Sequence, residues 1–406
     1  MTPTSDSINV CHVITRLIVG GAQENTILTC RGLAERGHRV TLIAGPETGA
    51  EGSLWDEASQ AGCELVKLSS LRRSVHPWRD WRARSDLVRL FCRIRPDVVH
   101  THSSKAGILA RSAAAGAGVP VVMHTIHGMA FNRTQSRLAF LLYRGLERRA
   151  AKHTTAIITV SDAMIDQSVA AGVAPRERFT TIHSGMEVET FGPDPAARRR
   201  VRAAWGVGPN TVVVGTIARL FENKGYDEII TAMSSIIGKG ARDGPSRSDR
   251  LEFVWIGDGA RRAEYERRLE QAGLRDRVHL TGLVRPGEIA GLVNGFDIVL
   301  HASRWEGLPR ALVQGLLTEV PAISFDNDGA PEVVIPEETG LLVPYGDTRA
   351  LGRAISTLAA DGDLRRAMGR RGRARCLEMF DWRRMVTRIE KLYEELMRNV
   401  GESVRD

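Results

Sequence analysis

The sequence predicts an α/β protein built from two Rossmann-like, doubly wound domains that face each other across a crevice. Three observations predict it. Short β-branched runs alternate with helix-length stretches through the first half of the chain. The same alternation restarts in the second half, and a stretch rich in Gly, Pro and charge, MEVETFGPDPAARRRVRAAWGVGPN, divides the two. Such alternation implies βαβ units, whose parallel strands need helices on both faces. The 406 residues also exceed what one hydrophobic core usually holds. Residues 1–190 are therefore expected to form the first domain, 191–380 the second, and 381–406 a C-terminal helix packing back toward the first.

In the first half, Asn9 to Ile14, Arg39 to Ala44, Asp97 to His100, Val119 to Ile126 and Thr155 to Val160 read as strands. Ala22 to Arg36, Lys105 to Ala115 and Ser136 to Lys152 read as helices between them. In the second half, Thr211 to Ile217, Leu251 to Ile256, Asp297 to Leu300 and Pro321 to Phe325 read as strands. Gly238 to Arg250 is a polar insert that reads as a surface loop. Asp381 suits the N-cap of a last helix with Trp382, Met385, Ile389, Leu392 and Leu396 on one face. In doubly wound sheets, ligands bind outside the carboxyl ends of the strands.

Composition narrows the function. At 43% hydrophobic and 26% charged, the chain is neither disordered nor fibrous. No apolar run approaches the ~20 residues that span a bilayer. The start, MTPTSDSINV, lacks the basic and apolar regions of a secretion signal, and five cysteines without CxxC spacing suit a reducing cytosol. A cytoplasmic protein is expected. The net charge of +8 is local, because Leu71 to Pro96 carries eight arginines against Asp80 and Asp86. Trp78, Trp81, Leu87, Leu90 and Phe91 form an apolar stripe among them. Such a helix suits an anionic membrane surface; a stripe packed on its own sheet is the alternative. No RNA-binding signature or zinc-finger spacing accompanies the charge, so nucleic acid is not expected as a partner.

The nucleotide motifs exclude as much as they suggest. Gly20-Gly21 is not GxGxxG, and Gly257-Asp258-Gly259 has Arg262 at the third glycine position, so a dinucleotide cofactor is not expected. A P-loop is absent. Arg219 and Lys224, five residues apart where a strand gives way to a helix, suit a diphosphate. After the next predicted strand come Glu306, Gly307, which lets a backbone approach a ligand, Leu308 and Pro309. Gln314 follows Glu306 by eight residues, about two helical turns, so both would face the same crevice. His100, His102, His124 and His127 stand at predicted strand ends. His100 and His102 share a strand face but His124 and His127 do not share that spacing, so no metal site is expected. His127 reads as a donor and acceptor in the crevice, and His100 and His102 as structural. Asp326-Asn-Asp328 looks like a metal-binding DxD but reads more simply as a turn leading to Gly329.

Taken together, these residues resemble the retaining glycosyltransferases of family 4, which have the GT-B fold. The resemblance runs through Gly20-Gly21, His100-Thr-His102-Ser-Ser-Lys105, His127-Gly128, Ser161 and Ile182-His-Ser-Gly185-Met186. It continues through Arg219-Leu, Lys224-Gly225, Gly257-Asp-Gly259, Leu280-Thr-Gly282, Glu306-Gly-Leu-Pro309, Gly329-Ala-Pro331-Glu332 and Thr339-Gly340-Leu-Leu-Val-Pro344. It implies an acceptor-binding first domain and a second domain that binds a nucleoside-diphosphate sugar, a UDP-sugar by preference. Arg219 and Lys224 match the pair that holds the diphosphate, and Glu306 the first glutamate of E-x7-E, which contacts the donor sugar. Gly307 and Leu308 would offer backbone amides, Gly282 would join the donor site, Gly20 and Gly21 would lie on the loop over the donor, and His127 would stand near the reacting sugar. Gln314 replaces the second glutamate and gives up its charge-assisted bond to the ribose.

The resemblance further implies transfer to an acceptor hydroxyl with retention, no required metal or other cofactor, and a sugar or lipid-linked acceptor in cell-surface polysaccharide or glycolipid synthesis. The arginine-tryptophan segment would then give peripheral attachment to the inner face of the plasma membrane. A GT-B sugar-nucleotide epimerase and a non-catalytic nucleotide-sugar-binding subunit are the alternatives.

Overall fold

The computed structural model describes residues 7–47, 52–131, 135–237 and 251–403. The insert 238–250 and the first six residues, on which part of the reading above falls, lie outside them. Two compact units emerge: Met1–Met186 together with Asp381–Asp406, and Glu187–Phe380.

The first unit holds seven strands: β1 (Asn9–Arg16), β2 (Arg39–Gly45), β3 (Glu64–Lys67), β4 (Val98–His102), β5 (Val121–Ile126), β6 (Ala156–Thr159) and β7 (Phe179–Thr181). They pair in parallel in the order β3-β2-β1-β4-β5-β6-β7. Between them run α1 (Gly21–Glu35), α2 (Trp55–Ser59), α3 (Pro77–Ile94), α4 (Ser104–Gly116), α5 (Arg137–Ala151) and α6 (Asp162–Ala170). Every residue of β1 is buried, as a strand covered on both faces must be. Its alternate residues serve two cores. Val10 and Ile14 pack with Ile27 and Leu33 of α1, and Cys11 and Val13 with Leu87 and Phe91 of α3 and Ala106 and Ala110 of α4.

The second unit begins with α7 (Pro195–Ala204), a helix inside the stretch that the sequence marks as a divide. Asp194 caps it, its Oδ1 accepting from the Ala196 and Ala197 amides at 2.9 and 3.0 Å. There follow β8 (Val212–Ile217), α8 (Tyr226–Ile237), β9 (Leu251–Ile256), α9 (Arg262–Gln271), β10 (Val278–Gly282), α10 (Pro286–Val293) and β11 (Ile298–His301). The unit closes with α11 (Arg310–Leu317), β12 (Ala322–Phe325), α12 (Ala330–Val333), β13 (Gly340–Val343), α13 (Thr348–Ala360) and α14 (Gly362–Met379). The order β10-β9-β8-β11-β12-β13 is again all parallel. Trp255, Tyr226 and Tyr265 anchor its core. Each sheet reverses direction once, between β1 and β4 and between β8 and β11. These reversals are where a doubly wound sheet opens a ligand site.

The last helix, α15 (Trp382–Ser403), belongs to the first unit. Asp381 Oδ1 accepts from the Arg383 amide at 2.7 Å, and the Trp382 amide donates to the Met186 carbonyl at 3.1 Å. Trp382, Met385, Val386, Ile389 and Tyr393 are buried against the face that α1 also covers. The helix therefore completes the core of a domain whose other residues end near position 186. Ile389→Ala should cost the first unit about 2–5 kcal/mol through the cavity it leaves. Urea unfolding would check this through an earlier transition; an unchanged midpoint would show that α15 is dispensable to that core.

Candidate active site

In the first unit, β1 leads through Leu17-Ile-Val to Gly20-Gly21 and α1. Gly20 takes the N-cap position with an extended backbone, and its carbonyl accepts from the Gln23 amide at 3.1 Å. A Cβ there would sit 2.8 Å from Gln23 Oε1, so the turn is tight. Gly21 is the first residue of the helix. His127 follows β5 directly. Ala22, Ser103, His124, His127, Met129 and Phe131 line a cavity of about 280 Å³, which brings the glycine turn and His127 to one place.

Behind His127 lies a buried set of histidines. His12 stands opposite His100 in the β1–β4 ladder, and His102 follows on the same face. His102 Nδ1 is 3.0 Å from His127 Nε2, and His102 Nε2 is 2.9 Å from His12 Nδ1. His100 lies alongside, bonded to the Tyr393 hydroxyl at 2.6 Å and to Thr125 Oγ1 at 2.7 Å. Burial pulls His12 down to about 3, and holds His100, His102 and His124 well below the usual imidazole range. His12, His100 and His102 each offer a nitrogen within 4.8 Å of the others, a grouping that could hold a metal ion. Five of their six nitrogens are already committed to one another, to His127, to Tyr393 and to Thr125, and only His12 Nε2 lacks a partner, so ligation by all three would break existing bonds. Sequence spacing kept His100 and His102 apart from His127 and passed over His12. The missing signal is the strand register, which no single segment displays.

In the second unit, four loops meet at the carboxyl ends of β8 to β11. Leu220 donates to the Asp258 carbonyl at 3.0 Å, and Gly257 donates to the Gly282 carbonyl at 3.1 Å. Gly257 and Gly282 have φ of 135° and 76°, which side-chain-bearing residues rarely adopt. Arg219 lies over the Phe221 ring at 4.7 Å. Gly225, at φ 72°, turns the chain into α8 so tightly that a Cβ would meet the Ala302 carbonyl at 1.8 Å. That approach brings Lys224 onto the loop after β11.

There Lys224 Nζ pairs with Glu306 Oε1, although 82 residues separate them. Ser303 Oγ donates to the same oxygen at 3.1 Å, and His301 Nε2 lies 3.6 Å from it. Burial works to raise the Glu306 carboxyl, but the Lys224 charge and the hydrogen bonds from Lys224 and Ser303 outweigh it and hold the group below the ordinary carboxylate range. His301, missed in the sequence, is pushed down to about 4, by burial first and then by Lys224. The Asp326-Asn-Asp328 turn clamps this loop. Asp328 Oδ2 accepts from the Glu306 amide at 2.8 Å, and Asn327 Nδ2 reaches the Ser303 and Arg304 carbonyls at 3.3 and 3.2 Å.

Gly307 and Leu308 are buried beside Glu306, and Gln314 is buried in α11. One expectation is corrected. The eight residues from Glu306 to Gln314 are not two helical turns, because α11 starts only at Arg310 with Pro309 as its N-cap. The second unit also carries a wider cavity of about 840 Å³ between α7, β10 and α10, lined by none of the candidate residues.

Residues 20–185 of the chain match the glycosyl transferase 4-like domain, and residues 197–375 match glycosyl transferases group 1. It is 27% identical over 400 residues to an Escherichia coli UDP-Gal:alpha-D-GlcNAc-diphosphoundecaprenol alpha-1,3-galactosyltransferase, covering 98% of this chain and 100% of the other. It is 30% identical to EpsD of Bacillus subtilis, named as a glycosyltransferase, over 74% of this chain and 77% of that one. Among solved structures, Anabaena Alr3699/HepE in complex with UDP and glucose shares the fold. The TM-score is 0.81 at 19% identity, over 96% of this chain and all of that one.

The histidines set a pH response. Unfolded imidazoles take a proton near pH 6.5, whereas His301 and His12 in the fold resist it to about 4 and 3. Stability is therefore complete above about pH 6.5 and is lost as pH falls toward 4, each buried histidine adding up to about 1.4 kcal/mol per pH unit. His301→Gln should flatten the slope of unfolding free energy against pH by one such increment. An unchanged slope would mean that His301 titrates normally.

Proposed function

The chain belongs to the group 1 glycosyl transferases, GT-B enzymes of the family 4 type, and from that premise we propose that it moves a sugar from a nucleoside-diphosphate sugar, UDP-linked by preference, to an acceptor hydroxyl with retention of configuration. The observation that carries the reading is the meeting of Lys224 and Glu306 where the β8–β11 order reverses, with Arg219 on the same strand end. A cation pair beside a helix start fits a diphosphate, and a held carboxylate fits the hydroxyls of the sugar that the diphosphate carries.

The roles follow from the chemistry. Breaking the bond from the anomeric carbon to the β-phosphate oxygen leaves negative charge on the diphosphate and positive charge on the ring. Lys224 would turn from Glu306 to the phosphate and, with Arg219, stabilise the leaving group. Glu306, ionised because Lys224 and Ser303 hold it so, would accept from the sugar hydroxyls while the Gly307 and Leu308 amides donate. The acceptor oxygen forms the new bond on the face the diphosphate leaves, and its proton passes to a phosphate oxygen. Arg219 and Lys224 supply the charge that a divalent metal would otherwise bring, so no metal or other cofactor is required. Gln314 is assigned to the ribose and Gly282 to the donor site. Gly20 and Gly21 form the loop over the donor, and His127 contacts the reacting sugar. Residues 1–190 would take the acceptor and 191–380 the donor.

The acceptor is proposed to be a sugar or lipid-linked saccharide of cell-surface polysaccharide or glycolipid synthesis; the E. coli relative's name gives GlcNAc-diphosphoundecaprenol as that enzyme's acceptor. The helix α3 fits a lipid-linked acceptor. Its Leu87 and Phe91 pack into the core, so the stripe expected from sequence divides, and Trp78 and Trp81 stand 75% and 62% exposed at its start. Val75 and the arginines Arg72, Arg73, Arg79 and Arg82, all exposed, flank them in the sequence. Tryptophans at the interface and arginines on lipid phosphates would hold the cytoplasmic enzyme to the inner face of the membrane. Among the described residues no helix is long and apolar enough to cross a membrane.

Three experiments test these readings. UDP, GDP, ADP, NAD and sulfate can be compared in thermal unfolding. A nucleotide at 100 times its dissociation constant adds about 2.7 kcal/mol, and Arg219→Ala should abolish the shift that UDP gives. Glu306→Ala and Lys224→Ala should each lower transfer by at least about 100-fold in folded protein; wild-type rates in either would remove the residue from the site. For the membrane, sedimentation with vesicles containing anionic lipid should capture the wild type and release Trp78→Ala/Trp81→Ala. Equal capture of the two proteins would refute the α3 surface.

A further inference from the structure

His127 does not act alone. Its Nε2 meets His102 Nδ1 at 3.0 Å, and His102 Nε2 meets His12 Nδ1 at 2.9 Å. Both contacts run from a Nδ1 to a Nε2. A neutral imidazole has one N–H and one lone pair, so each contact needs the proton on one side only. Three rings joined in this sense have just two consistent states: all carry the proton on Nδ1, or all carry it on Nε2. Any mixed state sets two lone pairs or two protons face to face at hydrogen-bond distance. In the first state His127 offers Nδ1–H as a donor, and in the second its Nδ1 accepts.

The surroundings keep the chain intact. His12, His100 and His102 are buried, and a charged ring among them would lose its solvation. His100 packs beside the chain, 4.4 Å from His102 and 5.1 Å from His12 between ring centroids, and is held by Tyr393 and Thr125. The inner end terminates at His12 Nε2, which is buried and has no hydrogen-bond partner. A buried orphan of this kind is costly and calls for a reason.

We propose that His12 and His102 are positioning residues for His127: one proton arrangement, shared by three rings from β1, β4 and the end of β5, decides whether His127 meets a sugar hydroxyl as donor or as acceptor. The choice of hydroxyl is thereby set from within the sheet. The role in sugar recognition rests on the assignment of His127 above; the coupling of the rings does not.

The test is tautomer assignment by long-range 1H–15N correlation on protein labelled with 15N-histidine at about pH 7.5. His12, His102 and His127 should show the same tautomer. In His102→Phe, His127 should become a mixture of tautomers and kcat should fall by about 10- to 100-fold. The thermal shift with UDP should stay as in wild type, and His102→Gln, which again offers a donor and an acceptor, should recover part of the rate. Different tautomers at His127 and His102 in the wild type, or a doubly protonated His127, would overturn the coupling. So would a His127 signal unmoved in His102→Phe. Because the wild-type measurement needs neither activity nor a variant, matched tautomers without sugar transfer would instead remove the transferase reading and leave the chain of rings standing.

Discussion

A parallel sheet must be covered on both faces, and that requirement arranges everything else in this protein. The central strands spend nearly all their side chains on burial, as the eight buried residues of β1 do. Polar chemistry is therefore driven to the strand ends. Where neighbouring strands connect in opposite directions around the sheet, two adjacent loops leave side by side. Distant residues meet there, and Lys224 and Glu306 do so after β8 and β11. The same requirement explains α15. The face of the first sheet that α1 leaves partly open is completed by a helix from the far end of the chain, at the cost of routing the chain back after the second unit.

The long central strands were legible because their β-branched runs need no partner to be recognised. β8 and β9 were read to within a residue of their bounds from Thr211 to Ile217 and Leu251 to Ile256. The edge strands were not. β3, β7, β10 and β13 are three to five residues long, and each leaves at least half of its residues exposed or part-exposed, so their patterns fade into loop composition. The helix α7 was hidden by its own charge, since RRR in its middle reads as linker until Asp194 is seen capping it. The α3 stripe misled in the other direction, because hydrophobic spacing cannot distinguish Phe91, which is buried, from Trp81, which is exposed.

For the candidate site, residue types were legible and partnerships were not. Arg219, Lys224 and Glu306 announce themselves as charges at strand ends, yet nothing in the sequence says that Ser303 donates to Glu306 or that Asp328 fixes its amide. The turn Asp326-Asn-Asp328 shows why. Its spacing suggested a metal site or, more simply, a turn, whereas its side chains serve the neighbouring loop. Gln314 is the plainest case: counting eight residues assumes a helix throughout, and the non-helical stretch to Pro309 breaks the count.

The two sets of candidate residues treat charge in opposite ways. Around Glu306, one cation and several donors keep a carboxylate ionised despite burial, and the same cation helps to keep His301 neutral. Around His12 and His102, burial leaves the rings neutral and bonded to one another. A charged group can stabilise a leaving diphosphate but recognises hydroxyls with little regard to which atom bears the proton. Neutral rings do the reverse, because each nitrogen is either a donor or an acceptor. A transfer between sugars needs both abilities. Placing them on different sheets lets each be held by its own local packing.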